Sequence, residues 1–181
     1  RRRDEAPQGL YFFGGVGRGK SMLMDLFFAS APIERKRRVH FHEFMLEVHD
    51  RLHRQRQDRT LEGDPLAPLA ADIAAESWLL CFDEFHVSNI ADAMLLGRLF
   101  AALLDLGVVV VTTSNSPPDD LYQGGLQRER FRPFIDLLKE RLDVLELDGV
   151  IDYRRNRIKD MTVYHQPLGG AAEAALSEAF A

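Results

Sequence analysis

This chain has almost no cysteine. Cys81 is the single one in 181 residues, so no internal disulfide is possible, and its place inside the apolar run WLLCF marks it as a buried, inert thiol of a reducing compartment. Long apolar runs are missing too. The strongest, LGVVVV from Leu106 to Val111, is far too short to span a bilayer. Arg1 to Arg3 followed by GLYFF superficially resembles a signal peptide, but the apolar part is short and runs straight into a glycine-rich loop, which excludes that reading. No excess of positive charge is present: the net charge of −5 argues against a protein-wide nucleic-acid surface while leaving local patches open. No internal repeat or low-complexity tract appears. The chain begins without methionine and is expected to be a piece of a longer protein.

What is present is an ordinary globular composition, with 46% hydrophobic and 28% charged residues in a length that suits one sizeable domain. Five segments read as strands: Leu10 to Phe13, Arg37 to His42, Trp78 to Phe85, the run VVVVTTSN from Val108 to Asn115, and DVLELD from Asp143 to Asp148. Helical patterns lie between them, at about Ser21 to Ala29, Glu43 to Arg59, the alanine-rich LAPLAADIAAE, ADAMLLGRLFAALLDLG, and Glu129 to Arg141. Alternating strands and helices predict an α/β fold with a parallel five-stranded sheet flanked by helices. Residues 1–150 are expected to form this core. Residues 151–181 read as the start of a C-terminal extension, irregular chain or a small hairpin and then an alanine-rich helix.

The first strand and the first helix enclose GGVGRGKS, Gly14 to Ser21, which fits G-x-x-x-x-G-K-[ST] in the strand–loop–helix context that a phosphate-binding P-loop requires. Glycines let backbone N–H groups turn inward around phosphate oxygens, and the helix N-terminus adds a favourable dipole. Gly14, Gly15, Val16, Gly17, Arg18, Gly19, Lys20, Ser21 and Met22 are therefore the expected ATP-binding residues. Lys20 reaches the β- and γ-phosphates, and the Ser21 hydroxyl ligates Mg²⁺.

In open α/β sheets ligands sit beyond the carboxyl ends of the strands. The third strand ends there in Asp83 and Glu84, suited to hold the Mg²⁺ hydration shell and to polarise the attacking water as general base. The fourth delivers Ser114 and Asn115, and Asn115 is the expected residue to position that water. A tight acid pair, with a strand and two helices between it and the P-loop, fits an ATPase of the AAA+ type, with room for an additional strand between the two motif strands. Arg128, Arg130 and Arg132 recur at alternate positions in LQRERFR. Arg130, then Arg128, is the expected arginine finger supplied to a neighbouring subunit, the alternative being a solvated basic helix face.

His49 and His53, at i and i+4, have helical zinc-ligand spacing, but no cysteine lies near and a metal site is not expected there. His40 and His42 read as pointing to one side of a strand beside the nucleotide rim or a central pore. Basic clusters at Arg35 to Arg38 and at Arg51, Arg54, Arg56 and Arg59 lack the aromatic interleaving of a base-stacking surface.

With these residues in hand, the chain resembles the ZapE family of bacterial cell-division ATPases and their mitochondrial AFG-like counterparts. The resemblance rests on GLYFFGGVGRGKSMLMDLFF, RRVHFHEFMLEVH, LLCFDEFHVSNIADAMLLGRLF, TSNSPPDDLYQGGLQRERF and VIDYR. It implies an AAA+ fold and Mg²⁺-dependent ATP hydrolysis in a ring-like homo-oligomer such as a hexamer. It implies a protein in the cytoplasm or peripheral to the inner membrane at the division site, associated with the FtsZ division ring, that remodels a protein partner; nucleic acid is not an expected partner. By position, Lys20 and Ser21 take the Walker A roles, Asp83 and Glu84 those of Walker B, Asn115 that of sensor 1, and Arg130 that of the finger. Ser21 stands where relatives often have threonine, and Arg132 where they often carry an apolar residue. The family also continues beyond Ala181, so its C-terminal lid is expected to be largely absent from this chain. Alternatives are a helicase-loader or initiator-like AAA+ protein acting on nucleic acid, and a nucleotide-gated scaffold that does not hydrolyse.

Overall fold

A computed structural model describes residues 7–57 and 63–147. Its elements follow in the order β1 (Gly9–Phe13), α1 (Lys20–Ser30), β2 (Lys36–His40), α2 (Phe41–Gln57), α3 (Leu66–Glu76), β3 (Leu79–Asp83), α4 (Ile90–Asp105), β4 (Val109–Ser114), a single 3₁₀ turn (Pro118–Asp120), α5 (Arg128–Arg141) and β5 (Leu142–Glu146). All strand pairs are parallel and the sheet order is β2-β3-β4-β1-β5. The α/β class, the five parallel strands and their segments are as the sequence predicts. Residues 151–181, assigned above to a C-terminal extension, lie outside the described residues.

The strand between the P-loop strand β1 and the acid-bearing β3 is β4, whereas the intervening segment RRVHFH supplies β2 at the sheet edge. The room foreseen between the two motif strands is thus filled by chain that follows β3. One boundary also differs. The strand expected to reach His42 stops at His40, and α2 starts at Phe41, so His42 is helical and does not share a strand face with His40. Phe41, Phe44, Met45, Val48 and Leu52 are all buried, a helical spacing that begins at Phe41 and draws the backbone into the helix there.

Strand side chains alternate between the two faces of the sheet. Leu80, Phe82 and Val110 join the larger core with α2 to α5, in which Phe82 lies against the rings of Phe41, Phe44 and Phe100. Leu79, Cys81 and Val111 face the other way, with Phe12, against Met24 of α1. Burial pushes the Cys81 thiol up to about 12, which leaves it the inert group the sequence suggests. At the far end of α1, Lys36 of β2 donates to the carbonyls of Phe28 (2.6 Å) and Ala31 (2.9 Å), placing a cation on the negative end of that helix. Helix α1 is thereby fixed over β3 and β4, and its N-terminus is held at the rim where the strands end.

Candidate active site

The phosphate loop leaves β1 pinned on both sides. Gly14 N–H donates to the Ser114 carbonyl (3.3 Å) at the end of β4, and Leu147 N–H donates to the Phe13 carbonyl (2.7 Å). Gly17 (φ 81°) and Gly19 (φ 79°) take left-handed backbone that side chains disfavour, which is why glycine stands at these turns. Gly19 occupies the N-cap of α1; no side chain caps the helix and its first turn carries no acid. The positive end of the helix dipole is therefore left uncompensated by the chain itself, which suits an anion. Lys20 Nζ lies across the loop and donates to the carbonyls of Gly14 (2.6 Å) and Gly15 (2.7 Å). Burial, then the nearby charge of Arg18, holds the Lys20 ammonium below its ordinary range. An anion bound in the loop would offset both the burial of this ammonium and its repulsion by Arg18. Val16, Ser21 and Met22 are exposed along the loop and the first helical turn.

Asp83 ends β3 and is 7% exposed. Its Oδ2 accepts from Arg38 Nε at 2.6 Å, while Oδ1 is buried with no hydrogen-bond partner among the described residues. A buried carboxylate oxygen without a donor is costly unless something binds it, and a metal-ion hydration shell is a fitting occupant. The residues present therefore fit Mg²⁺, with Asp83 and the Ser21 hydroxyl as the groups that would hold it.

Directly after Asp83 the chain turns sharply. Glu84 has φ 54°, its N–H donates to Thr113 Oγ1 (3.2 Å), and Phe85 N–H donates to the Thr113 carbonyl (2.7 Å). A left-handed backbone costs a non-glycine residue roughly 1–2 kcal/mol, and strain of this kind is concentrated at functional sites. The result is an acid whose main chain is clamped to β4 and whose side chain is exposed at the rim. Of the two polar residues delivered by β4, Ser114 spends its hydroxyl on the Phe85 carbonyl (2.9 Å), and Asn115 is exposed immediately beyond the strand.

The three arginines of LQRERFR have different surroundings. Arg128 Nη2 donates to the Asp119 carbonyl (2.5 Å), tying α5 to the 3₁₀ turn, and its Nε is buried without a partner among the described residues. Arg130 is exposed on the first turn of α5 and donates to Gln127 Oε1 (3.1 Å), a neutral group. Arg132 lies 3.5 Å from the Glu129 carboxylate.

Elsewhere the candidate groups are occupied locally. His49 Nε2 lies 2.6 Å from Asp92 Oδ1, and His53 Nε2 lies 2.8 Å from Gln57 Nε2. In the basic clusters, Arg37 pairs with Glu47, Arg51 with Glu47 and Glu76, and Arg54 with Asp50, while Arg35 stacks on the Trp78 ring at 4.1 Å. Most of these cations are thus spent within the chain; Arg59 lies outside the described residues. Two residues escaped sequence reasoning. Arg38 read only as part of a basic run, and Thr113 as an apolar-strand residue; nothing local in the sequence marks either as a neighbour of the acid pair.

The model of the AFG1-like ATPase family matches residues 1–181, and the chain belongs to that family. It is 49% identical over 173 residues to the cell division protein ZapE of Escherichia coli K12, covering 94% of this chain and 44% of that protein. It is 51% identical over 160 residues to lactation elevated protein 1 homolog B of Danio rerio, covering 84% of this chain and 32% of that one. The chain spans less than half the length of both. Among solved structures, domain III of the replication initiation protein DnaA from Thermotoga maritima has a similar fold, with a TM-score of 0.59 at 17% identity over 86% of this chain and 61% of that one. The fold is that of P-loop AAA+ proteins.

Proposed function

We propose that this AFG1-like family member binds and hydrolyses ATP in a Mg²⁺-dependent reaction, at sites completed by neighbouring copies in a ring. The observation that carries the reading is the Lys20 loop: an uncapped helix start, two left-handed glycines and a cation pressed onto carbonyls, beside a buried acid with an unsatisfied oxygen. Lys20 and the loop N–H groups bind the β- and γ-phosphates. Mg²⁺, when bound by Ser21 and Asp83, neutralises phosphate charge. Glu84 takes a proton from the attacking water, Asn115 orients that water, and Arg130 of an adjacent subunit meets the charge that develops on the transferred phosphoryl group.

At the level of the whole protein, the likeness to ZapE supports a role in cell division, in which hydrolysis remodels a protein partner at the FtsZ ring. The intramolecular pairing of the basic clusters weighs against a nucleic-acid surface. No helix among the described residues is long and apolar enough to cross a membrane.

Lys20→Ala is expected to abolish binding of a fluorescent ATP analogue at concentrations that saturate the wild type, with the thermal midpoint of the unliganded protein little changed, because the hydrogen bonds of the Lys20 ammonium among the described residues go to two loop carbonyls. Equal binding by both proteins would remove the P-loop as the nucleotide site.

A further inference from the structure

We propose that Arg38 is the positioning residue of the metal-binding acid, a clamp that sets Asp83 against the helix carrying Lys20 and Ser21. The inference rests on the reading of Asp83 as a holder of Mg²⁺ and adds to it a residue from the edge strand.

In the β2–β3 register Arg38 lies opposite Cys81, and Cys81 packs on the α1 side of the sheet, so Arg38 projects onto that same side. There its guanidinium divides between two acids. Nε donates to Asp83 Oδ2 at 2.6 Å, and Nη1 pairs with Asp25 on α1. The two acids differ in surroundings: the Asp83 side chain is 9% exposed and that of Asp25 63%. Burying an anion demands a compensating partner, and among the described residues Arg38 is the one cation paired with Asp83.

The hydrogen bond also has a geometric effect. With Oδ2 held, the carboxylate cannot rotate without breaking that bond, and Oδ1 keeps a single direction, buried and without a donor among the described residues. A planar fork bonded to two acids fixes their separation, whereas an ammonium on a flexible stem does not. One of these acids ends β3 and the other sits on α1, four residues beyond Ser21. Arg38 thus fixes the spacing between the two parts of the site that must hold one ion. It touches neither phosphate nor metal, and acts through Asp83. Partners of this kind typically alter metal affinity 10- to 100-fold when removed.

The test is the Mg²⁺ concentration that gives half of the Mg²⁺-dependent gain in binding of a fluorescent ATP analogue, measured on Arg38→Gln, Arg38→Lys and Asp25→Asn. Arg38→Gln should raise that midpoint at least about 10-fold, with binding in EDTA unchanged because the P-loop is intact. Arg38→Lys keeps the charge but loses the fork and should fall between Arg38→Gln and wild type; it decides the matter if Arg38→Gln does not fold. Asp25→Asn, which removes only the exposed partner, should shift the midpoint least. A midpoint unchanged in both arginine variants, with only the melting temperature lowered, would make Arg38 a structural ion pair. A lower midpoint would make it a competitor of the ion; either result overturns the proposal. Wild-type binding indifferent to Mg²⁺ would instead remove the metal reading of Asp83, and this inference with it.

Discussion

Glu84→Gln is expected to bind ATP as tightly as the wild type and to turn it over roughly 10²- to 10⁴-fold more slowly, the usual contribution of a positioned general base. The substitution suits the site because the backbone does not depend on the carboxylate. Thr113 holds the main chain of the turn through its hydroxyl and its carbonyl, so Gln inherits the same left-handed conformation. The side chain is exposed at the rim, and no described contact of the fold is lost with the charge. Binding and hydrolysis should therefore separate cleanly, by equilibrium titration and by steady-state phosphate release. Unchanged turnover would remove Glu84 as the base. A loss of both would mean that the turn after β3 had itself moved.

The second large effect concerns Arg130. Arg130→Ala should lose roughly 10³- to 10⁵-fold in turnover, the range found for arginine fingers. The three arginines separate by their partners. Arg128 is spent on the Asp119 carbonyl and Arg132 lies beside Glu129, whereas Arg130 is exposed and bonded only to a neutral amide. A finger acting in trans makes a further demand. Mixing Arg130→Ala with Lys20→Ala should restore activity, because each mixed interface can join an intact P-loop to an intact Arg130. Activity no greater than the sum of the two separate variants would contradict action in trans, and a large loss in Arg128→Ala without loss of α5 structure would shift the assignment to that residue.

Much of the architecture is legible because the central strands β3 and β4 are largely apolar runs. LLCF and VVVV are buried on both faces, and such segments have few alternatives to the centre of a parallel sheet. The P-loop was legible because its glycines answer a backbone requirement that the structure shows at Gly17 and Gly19. Other features depend on partners far along the chain. The order of strands places β4, not β2, between β1 and β3, a matter of packing rather than of periodicity. The junction at His40 and Phe41 is not legible locally, because charged and apolar residues alternate through RRVHFH while the burial that decides for helix comes from residues further on. Arg38 was hidden for the same reason: 45 positions separate it from Asp83, and only the β2–β3 register brings them together. The left-handed turn at Glu84 likewise follows from Thr113 on another strand.

The central claim is that this chain hydrolyses ATP at P-loop sites completed by a neighbouring copy. Steady-state hydrolysis measured against protein concentration, on the chain and on its Lys20→Ala variant, tests it most directly. The account predicts specific activity that rises with concentration and is absent from the variant at every concentration. Specific activity independent of concentration, or retained by Lys20→Ala, would contradict it.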